Sequence, residues 1–174
     1  NNTCALTTSG GVKCWGNGRF GALGNSAADD SPVPVDVTGL DSGVAQVVTL
    51  NSNGCALTTS GGVKCWGAGG GGTIGNGSQD YQVTSPVDVT GLTSGVSAIT
   101  RSGIAMCARL DTGDLKCWGA NAYGHVGDET YDNTRLEPVD FTMLDDSTVT
   151  QFSSGKWDTC ALINDGSVKC WGRN

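Results

Sequence analysis

The sequence is poor in the residues that catalytic centres, nucleic-acid-binding surfaces and membrane spans require. It contains one histidine, His125, so a nucleophile–base pair or a histidine metal centre has almost nothing to draw on. The ten lysines and arginines are scattered and the formal net charge is −7, which argues against a phosphate-binding surface. No apolar run approaches the roughly 18 residues of a membrane helix. We therefore predict no nucleic-acid partner, no membrane span and no cofactor.

Helix signals are also scarce. No window of a dozen residues keeps apolar positions three and four apart without an interrupting cluster of Gly, Ser or Thr, and 28 of the 174 residues are glycine. This composition predicts an all-β fold of short strands and many turns. The first residues, Asn1 to Cys4, lack a charged-then-apolar secretion signal, so we expect any export signal to have been removed or to lie outside this chain.

What the sequence does contain is a cysteine pair that recurs four times. In each copy nine residues separate the two cysteines, and the second opens the tripeptide Cys-Trp-Gly. The copies start roughly 51 to 53 residues apart, a regularity typical of propellers and solenoids, in which each unit buries its apolar faces against its neighbours. The pairs are Cys4/Cys14, Cys55/Cys65, Cys107/Cys117 and Cys160/Cys170.

An even cysteine count with none left over indicates a disulfide framework in an oxidising compartment, and hence a secreted or cell-surface protein. Zinc is the alternative, but structural zinc sites need ligands two to four residues apart, and a single histidine completes no tetrad.

Each cysteine pair is predicted to lie in a β-hairpin. In the first copy, residues 4–7 read as a strand, residues 8–11 as a turn and residues 12–16 as the returning strand. If Cys4 faces Cys14, Leu6 faces Val12 on the same buried face. The equivalent aliphatic pairs are Leu57/Val63, Leu110/Leu115 and Leu162/Val168.

Three more segments complete the repeat. A bend with two small or aliphatic residues between glycines, as in Gly21–Gly24, indicates backbone passing close to a neighbouring blade, with one side chain plugged inward. A segment that begins at Pro34, and again at Pro86 and Pro138, is predicted to be an outer edge strand. A final alternating segment makes four short strands per unit, the composition of one propeller blade. We divide this single repeat domain, residues 1–174, into units 4–54, 55–106, 107–159 and a partial unit 160–174.

These features, from Cys4-Ala5-Leu6-Thr7 through Gly11–Gly16 to Gly21–Gly24 and Pro34-Val35, closely resemble the regulator-of-chromosome-condensation repeat. The paired cysteines are similar to an extracellular, prokaryotic branch of that family. The resemblance implies β-propeller blades, about three and a half of a seven-bladed ring or of an open repeat array. It does not extend to the exchange-factor activity that names the family, because this chain lacks the basic, cytosolic character of such a role.

Three segments that differ between copies are the candidate binding surface. Residues 25–33, 76–85 and 128–137 are expected to collect on one rim, where variation changes partner choice without touching the scaffold. Candidate contact residues within or beside these loops are Tyr81, Tyr131, Arg135 and Trp157, the last of which either contacts a partner or fills a local gap.

Weaker candidates concern modification and metal binding. Asn1 and Asn76 match the glycan acceptor pattern, and Asp128, Glu129 and Asp132 could gather oxygens around calcium in one loop. His125 replaces Ala22 and Thr73 of the other copies and is expected to be a surface substitution. The lysine before each Cys-Trp-Gly is expected to lay its stem over apolar surface and keep its charge in solvent.

The resulting hypothesis is a non-enzymatic, secreted or cell-surface scaffold that binds another protein, or copies of itself, through its variable loops and repeat ends. A seven-bladed ring of this period would need about 350 residues, so we expect other repeats or subunits to cover the ends. One alternative is a structural filament or surface-layer subunit, a homo-oligomer built end to end. Another is an extracellular enzyme acting on polysaccharide or peptide, whose active site would require clustered acids, histidine or metal.

Overall fold

The computed structural model describes residues 2–131, 133–144, 148–155 and 157–173. Within these ranges the protein is built of antiparallel sheets, and the helical structure is a single three-residue 3₁₀ turn, Arg19–Gly21. The prediction of an all-β fold is confirmed.

Fourteen strands form four blades, and in each blade the strands lie side by side in chain order. Blade 1 contains β1 (Asn2–Leu6), β2 (Val12–Gly16) and β3 (Ser31–Asp36). Blade 2 contains β4 (Val44–Leu50), β5 (Asn53–Thr58), β6 (Val63–Ala68) and β7 (Gln82–Asp88). Blade 3 contains β8 (Val96–Ser102), β9 (Ala105–Leu110), β10 (Leu115–Gly119) and β11 (Arg135–Asp140). Blade 4 contains β12 (Val149–Ser154), β13 (Asp158–Ile163) and β14 (Val168–Gly172).

The blades do not coincide with the sequence repeats. Each complete sheet takes its first strand from the end of the preceding repeat, so β4 belongs to repeat unit 4–54 but pairs with β5 of the next unit. The first strands β4, β8 and β12 contact one another from blade to blade. One sheet thus crosses every repeat boundary and ties consecutive repeats together.

The hairpin register is the predicted one. Cys4 faces Cys14 and Leu6 faces Val12, and the same register recurs at Cys55/Cys65 and Cys160/Cys170. All eight cysteines form disulfides within their own hairpins, with Cα atoms 4.1 Å apart in each pair. Directly opposed residues of an antiparallel pair lie close enough for such a bridge.

The third hairpin corrects one predicted pair. Leu115 faces Arg109, whereas Leu110 faces Val96 on the other side of the sheet. Arg109 therefore occupies the place of the aliphatic residue. Its Nε donates to Ser97 Oγ at 3.1 Å, and its guanidinium also donates to the Thr150 carbonyl of blade 4. A charged side chain is accommodated there because it hydrogen-bonds across the blade junction.

The proline segments form the outer edge strands, as predicted, but proline lies inside each strand rather than at its start. Pro34 is the fourth residue of β3, and the pairing of β2 with β3 shifts register between Cys14 and Gly16. Proline has no N–H to donate to a ladder, so it is tolerated at an irregularity of an edge strand.

The apolar core lies between blades. The largest cluster joins Leu57, Ile74 and Val89 of blade 2 to Met106 and Trp118 of blade 3, and all five are buried. Similar clusters join blade 1 to blade 2 and blade 3 to blade 4. A blade therefore completes its core against its neighbour, which is the expected behaviour of a repeat protein.

Candidate functional site

The glycine bends dock each blade onto the next. The repeat tryptophan of one blade donates its indole N–H to a bend carbonyl of the preceding blade: Trp66 to Ala22 at 3.3 Å, Trp118 to Thr73 at 3.1 Å and Trp171 to His125 at 3.3 Å. The aliphatic residue of each bend is buried, as in Leu23, Ile74 and Val126. The prediction of close backbone approach with one inward side chain is confirmed.

Behind each bend, the variable segments link into a continuous band. Ser26 of the first segment donates its N–H to the Thr84 carbonyl at 3.0 Å, and its hydroxyl lies 3.0 Å from that of Ser85. Gly77 of the second segment donates its N–H to the Leu136 carbonyl of the third, also at 3.0 Å. Segments 25–33, 76–85 and 128–137 therefore form one surface, which we call the loop band.

Two tyrosines of the loop band face solvent. Tyr81 and Tyr131 are each 67% exposed. Tyr81 stacks edge-on against Phe20 of blade 1, with ring centroids 4.9 Å apart, so its ring is held in place while most of it stays open. A rigid, exposed aromatic ring is the side chain that most often anchors a protein interface.

Arg135, in contrast, is engaged inside its own loop. Its Nε donates to Asp128 Oδ2 at 2.5 Å, and both side chains are largely buried. Thr130 donates its hydroxyl to Asp128 Oδ1 at 2.7 Å. Burial alone would raise the pKa of Asp128, but the hydrogen bonds from Thr130 and Arg135 outweigh it and hold this pKa below its ordinary value. Arg135 thus organises the loop that presents Tyr131.

The calcium candidate shares this carboxylate. Asp128 already accepts hydrogen bonds from Arg135 and Thr130, Glu129 is exposed, and Asp132 lies outside the described residues. In the described part of the chain, no group of three His, Cys, Asp or Glu residues is placed to hold a metal ion.

Sequence reasoning missed a second organiser of this loop, Asn121. It is almost fully buried; its Oδ1 accepts from Val126 N at 3.0 Å, and its Nδ2 donates to the Thr130 carbonyl at 3.0 Å. In blades 1 and 2 the equivalent residues are Gly18 and Gly69, where a Cβ would lie 1.8 and 2.2 Å from a loop carbonyl oxygen. The loop backbone there fills the space that the asparagine side chain takes in blade 3.

His125 was predicted to be a surface residue, and this is wrong: the side chain is fully buried. Its Nε2 lies 3.0 Å from the Trp157 carbonyl, and its ring meets Tyr123 edge-on at 5.6 Å. Nδ1 has no hydrogen-bond partner among the described residues. Desolvation lowers the pKa of His125, although the hydrogen bond with Trp157 opposes the shift.

Trp157 lies half-buried in the same cluster, at the junction of blades 3 and 4. Its ring is 6.0 Å from that of Tyr123, and the guanidinium of Arg173 lies 5.7 Å from its centroid. Of the two readings of this residue, the packing favours a junction role.

The two glycan candidates are placed differently. Asn1 lies outside the described residues, whereas Asn76 is half-buried at the start of the second variable segment and accepts the Ser78 N–H at 3.2 Å. Glycosylation at either residue stays a prediction.

The repeated lysines, predicted to keep their charge in solvent, form ion pairs across the outer two strands. Nζ to Oδ1 distances are 2.6 Å for Lys13–Asp36, 2.6 Å for Lys64–Asp88 and 2.5 Å for Lys116–Asp140. In each case the acid is the third residue of a Pro-Val-Asp sequence. Across the ranges that the structure covers, no helix is long and apolar enough to cross a bilayer.

Comparisons with known proteins agree with this architecture. Two models of the regulator of chromosome condensation (RCC1) repeat match residues 112–162 and 1–22. A curated protein of Arabidopsis thaliana, RCC1 domain-containing protein RUG3, mitochondrial, is 31% identical over 98% of this chain and 40% of its own length.

Solved structures show the same fold. Human WBSCR16 superposes with a TM-score of 0.82 at 21% identity, over 100% of this chain and 46% of that one. Yeast RCC1 (Prp20), solved bound to Kap60, superposes with a TM-score of 0.79 at 21% identity, over 99% of this chain and 42% of that one. The chain thus carries RCC1 repeats, and the matches support an RCC1-like β-propeller family. It spans less than half the length of these relatives.

Proposed function

We propose that this chain is a non-enzymatic scaffold that binds another protein through the loop band. The observation that carries the proposal is the continuity of that band: backbone hydrogen bonds link its three variable segments, and Tyr81 and Tyr131 project from it, each 67% exposed. Variable residues on a rigid scaffold can change partner choice without a cost in folding.

The chemistry of the band favours a protein over a nucleic acid. The net charge of −7 repels phosphate, and Arg135 is already paired with Asp128. Exposed tyrosines surrounded by polar residues are typical of a protein-binding surface. Yeast RCC1, which shares the fold, has been solved bound to Kap60.

The proposed location is extracellular or at the cell surface, in the manner of the cysteine-paired branch that the sequence resembles. Four disulfides within hairpins support it, because such bridges persist in oxidising compartments. RUG3, by its name, is mitochondrial, so location does not follow from the repeat itself. Trapping thiols with a mass-labelled maleimide in intact source cells tests this proposal: unlabelled cysteines support it, and eight labelled cysteines contradict it.

The binding proposal is tested with the purified chain and matched variants. Candidate partners are captured on the immobilised chain, identified, purified and titrated against Tyr81→Ala, Tyr131→Ala and Thr59→Ala. Thr59 lies in a hairpin turn at the opposite end of the strands from the loop band and serves as the control. Loss of a central tyrosine is expected to weaken binding roughly thirtyfold, whereas the control is expected to bind as the parent does.

Two results would overturn the proposal. Equal affinity of both tyrosine variants and the parent would place the contact elsewhere. Turnover of a glycan or peptide library that disappears in Glu129→Gln would identify an enzyme. Regular filaments of the purified chain in electron micrographs would favour the structural alternative.

A further inference from the structure

The outer edge of blade 4 differs from that of the other three blades. In blades 1 to 3 an outer strand covers the Lys-Cys-Trp-Gly strand, and Cys14, Cys65 and Cys117 are fully buried beneath it. Among the described residues nothing pairs with the outer edge of β14, and Cys170 is exposed.

The apolar residue that opens this strand shows the same contrast. Val12 is 1% exposed and Val168 is 63% exposed. Val12 is closed over by the residues that follow Pro34-Val35-Asp36, since it donates its N–H to the Leu40 carbonyl and accepts from Val37 N, at 2.8 and 3.1 Å.

A charge is left over at the same edge. Lys13, Lys64 and Lys116 each pair with the aspartate of a Pro-Val-Asp sequence on the adjacent outer strand. Lys169 occupies the equivalent place in β14, is exposed, and forms no ion pair with any described residue. The edge therefore presents a cation where the repeat places a carboxylate.

The preceding blade offers the other wall of the same cleft. The bend glycines Gly21 and Gly72 lie against the outer strand of the next blade, where an added Cβ would be 2.6 Å from Thr84 Cα and 2.7 Å from the Arg135 carbonyl oxygen. Their equivalent, Gly124, instead borders an open pocket of about 320 Å³ that reaches to Cys170.

A backbone donor points toward this pocket. Ser26 and Gly77 have left-handed backbones, with φ of 67° and 78°, and each donates its N–H to a carbonyl of the next blade's outer strand at 3.0 Å. Glu129 holds the equivalent position with φ of 61°, lines the pocket and has no acceptor for its N–H among the described residues. A non-glycine residue in this conformation is uncommon, so the loop is already set in the donating geometry.

We propose that this cleft accepts an extended peptide segment of another protein, which adds to β14 as a fourth strand. The segment carries the pattern Pro-Val-Asp-Val-x-Gly-Leu: its carboxylate pairs with Lys169, its first valine covers Cys170 and its second covers Val168. Its backbone accepts from Glu129 N and completes the ladder, the mode known as β-augmentation.

A second copy of this chain is a poorer occupant. Its three Pro-Val-Asp segments are already paired within β3, β7 and β11 and would have to leave their own sheets. The inference rests on the proposed function, protein binding, and specifies the partner at one repeat end rather than at the loop band.

The test uses a fluorescent peptide with the sequence of residues 82–92, titrated by anisotropy against the full 174-residue chain. Saturable one-to-one binding is expected. Lys169→Glu is expected to weaken it by about two- to fivefold or more, the range for an exposed ion pair. The Asp88→Lys peptide is expected to bind the parent chain weakly and to regain affinity on Lys169→Glu. Lys116→Glu, which alters an already paired lysine, is the matched control and is expected to change nothing.

Absence of saturation, equal binding of a scrambled peptide, or failure of the charge swap would each overturn the inference. So would concentration-dependent self-association that Lys169→Glu abolishes and the peptide does not compete, because the occupant would then be a second copy. Tyr81 lies outside this cleft, so Tyr81→Ala is expected to leave peptide binding unchanged. A failure here is thereby distinguishable from a failure of the loop-band proposal.

Discussion

Replacing Trp118 with phenylalanine tests whether the repeat tryptophan holds neighbouring blades together. Trp118 is fully buried and donates its indole N–H to the Thr73 carbonyl of the preceding blade. Phenylalanine removes the donor, and a buried carbonyl left without a partner costs about 1–3 kcal/mol. The smaller ring adds a cavity term of about 1–2 kcal/mol. Trp118→Phe is therefore expected to lower the free energy of unfolding by about 2–5 kcal/mol.

Trp15 provides the matched control. It occupies the same place in blade 1, is half-buried, and has no preceding blade in this chain to receive its N–H. Trp15→Phe is expected to cost less than about 1 kcal/mol. Urea unfolding followed by far-ultraviolet circular dichroism measures both variants without relying on tryptophan fluorescence. Repeat arrays do not always unfold in one step, so the comparison uses the transition that the parent chain shows.

Equal losses in the two variants would refute this reasoning. Such a result would mean that the indole stabilises the blade that carries it rather than the junction. A large loss for Trp118→Phe with no loss for Trp15→Phe supports a junction role, because the two residues share sequence context and hairpin register and differ in the presence of a preceding blade.

Three further predictions concern single features of the repeat. Gly75→Ala is expected to cost about 1–3 kcal/mol more in urea unfolding than Gly91→Ala, because both residues have a left-handed backbone but only the first has an indole within 2.7 Å of an added Cβ. Replacing Cys107 and Cys117 together by alanine is expected to cost about 2.5–3 kcal/mol by loop entropy, measured against the parent under non-reducing conditions. Because the pKa of His125 is lowered in the folded chain, stability is full above about pH 6.5 and falls as the pH drops below it. His125→Thr, tested by urea unfolding at several pH values, is expected to flatten this dependence; an unchanged slope would contradict the assignment.

The hairpins, bends and disulfides could be predicted from the sequence because each depends on local pattern. Opposed positions in a hairpin add to a constant, so placing Cys4 opposite Cys14 also places Leu6 opposite Val12. The third hairpin departed from this prediction because Arg109 finds carbonyl and hydroxyl acceptors across the blade junction, and no local pattern reveals those.

The burial of His125 could not be predicted, because it depends on a residue in another strand connection. Gly103 lies in the turn between β8 and β9, and a Cβ there would be 2.3 Å from the imidazole. The bend of blade 3 holds a large side chain because this turn has none. Sequence alone does not show that the two positions meet.

The lysine–aspartate pairs were missed for a similar reason. Lys13 and Asp36 are separated by the variable loop, and the register of β2 with β3 shifts beside Pro34, so counting residues does not align them. The pattern was nevertheless present, since Lys-Cys-Trp-Gly and Pro-Val-Asp recur together in three repeats and the fourth carries only the first of them.

The offset between repeat and blade gives this chain two different end surfaces. Blade 1 has an outer strand but no described strand beyond β1, whereas blade 4 has an inner strand and none beyond β14. Joining one end to the other would bring together two hairpins and would still leave β14 without its outer neighbour. A head-to-tail contact of copies is heterologous, and here it does not satisfy the cleft beside Lys169. The strand that completes blade 4 must therefore arrive as an unpaired segment, which is why a short peptide, rather than a second folded copy, is the decisive probe of this edge.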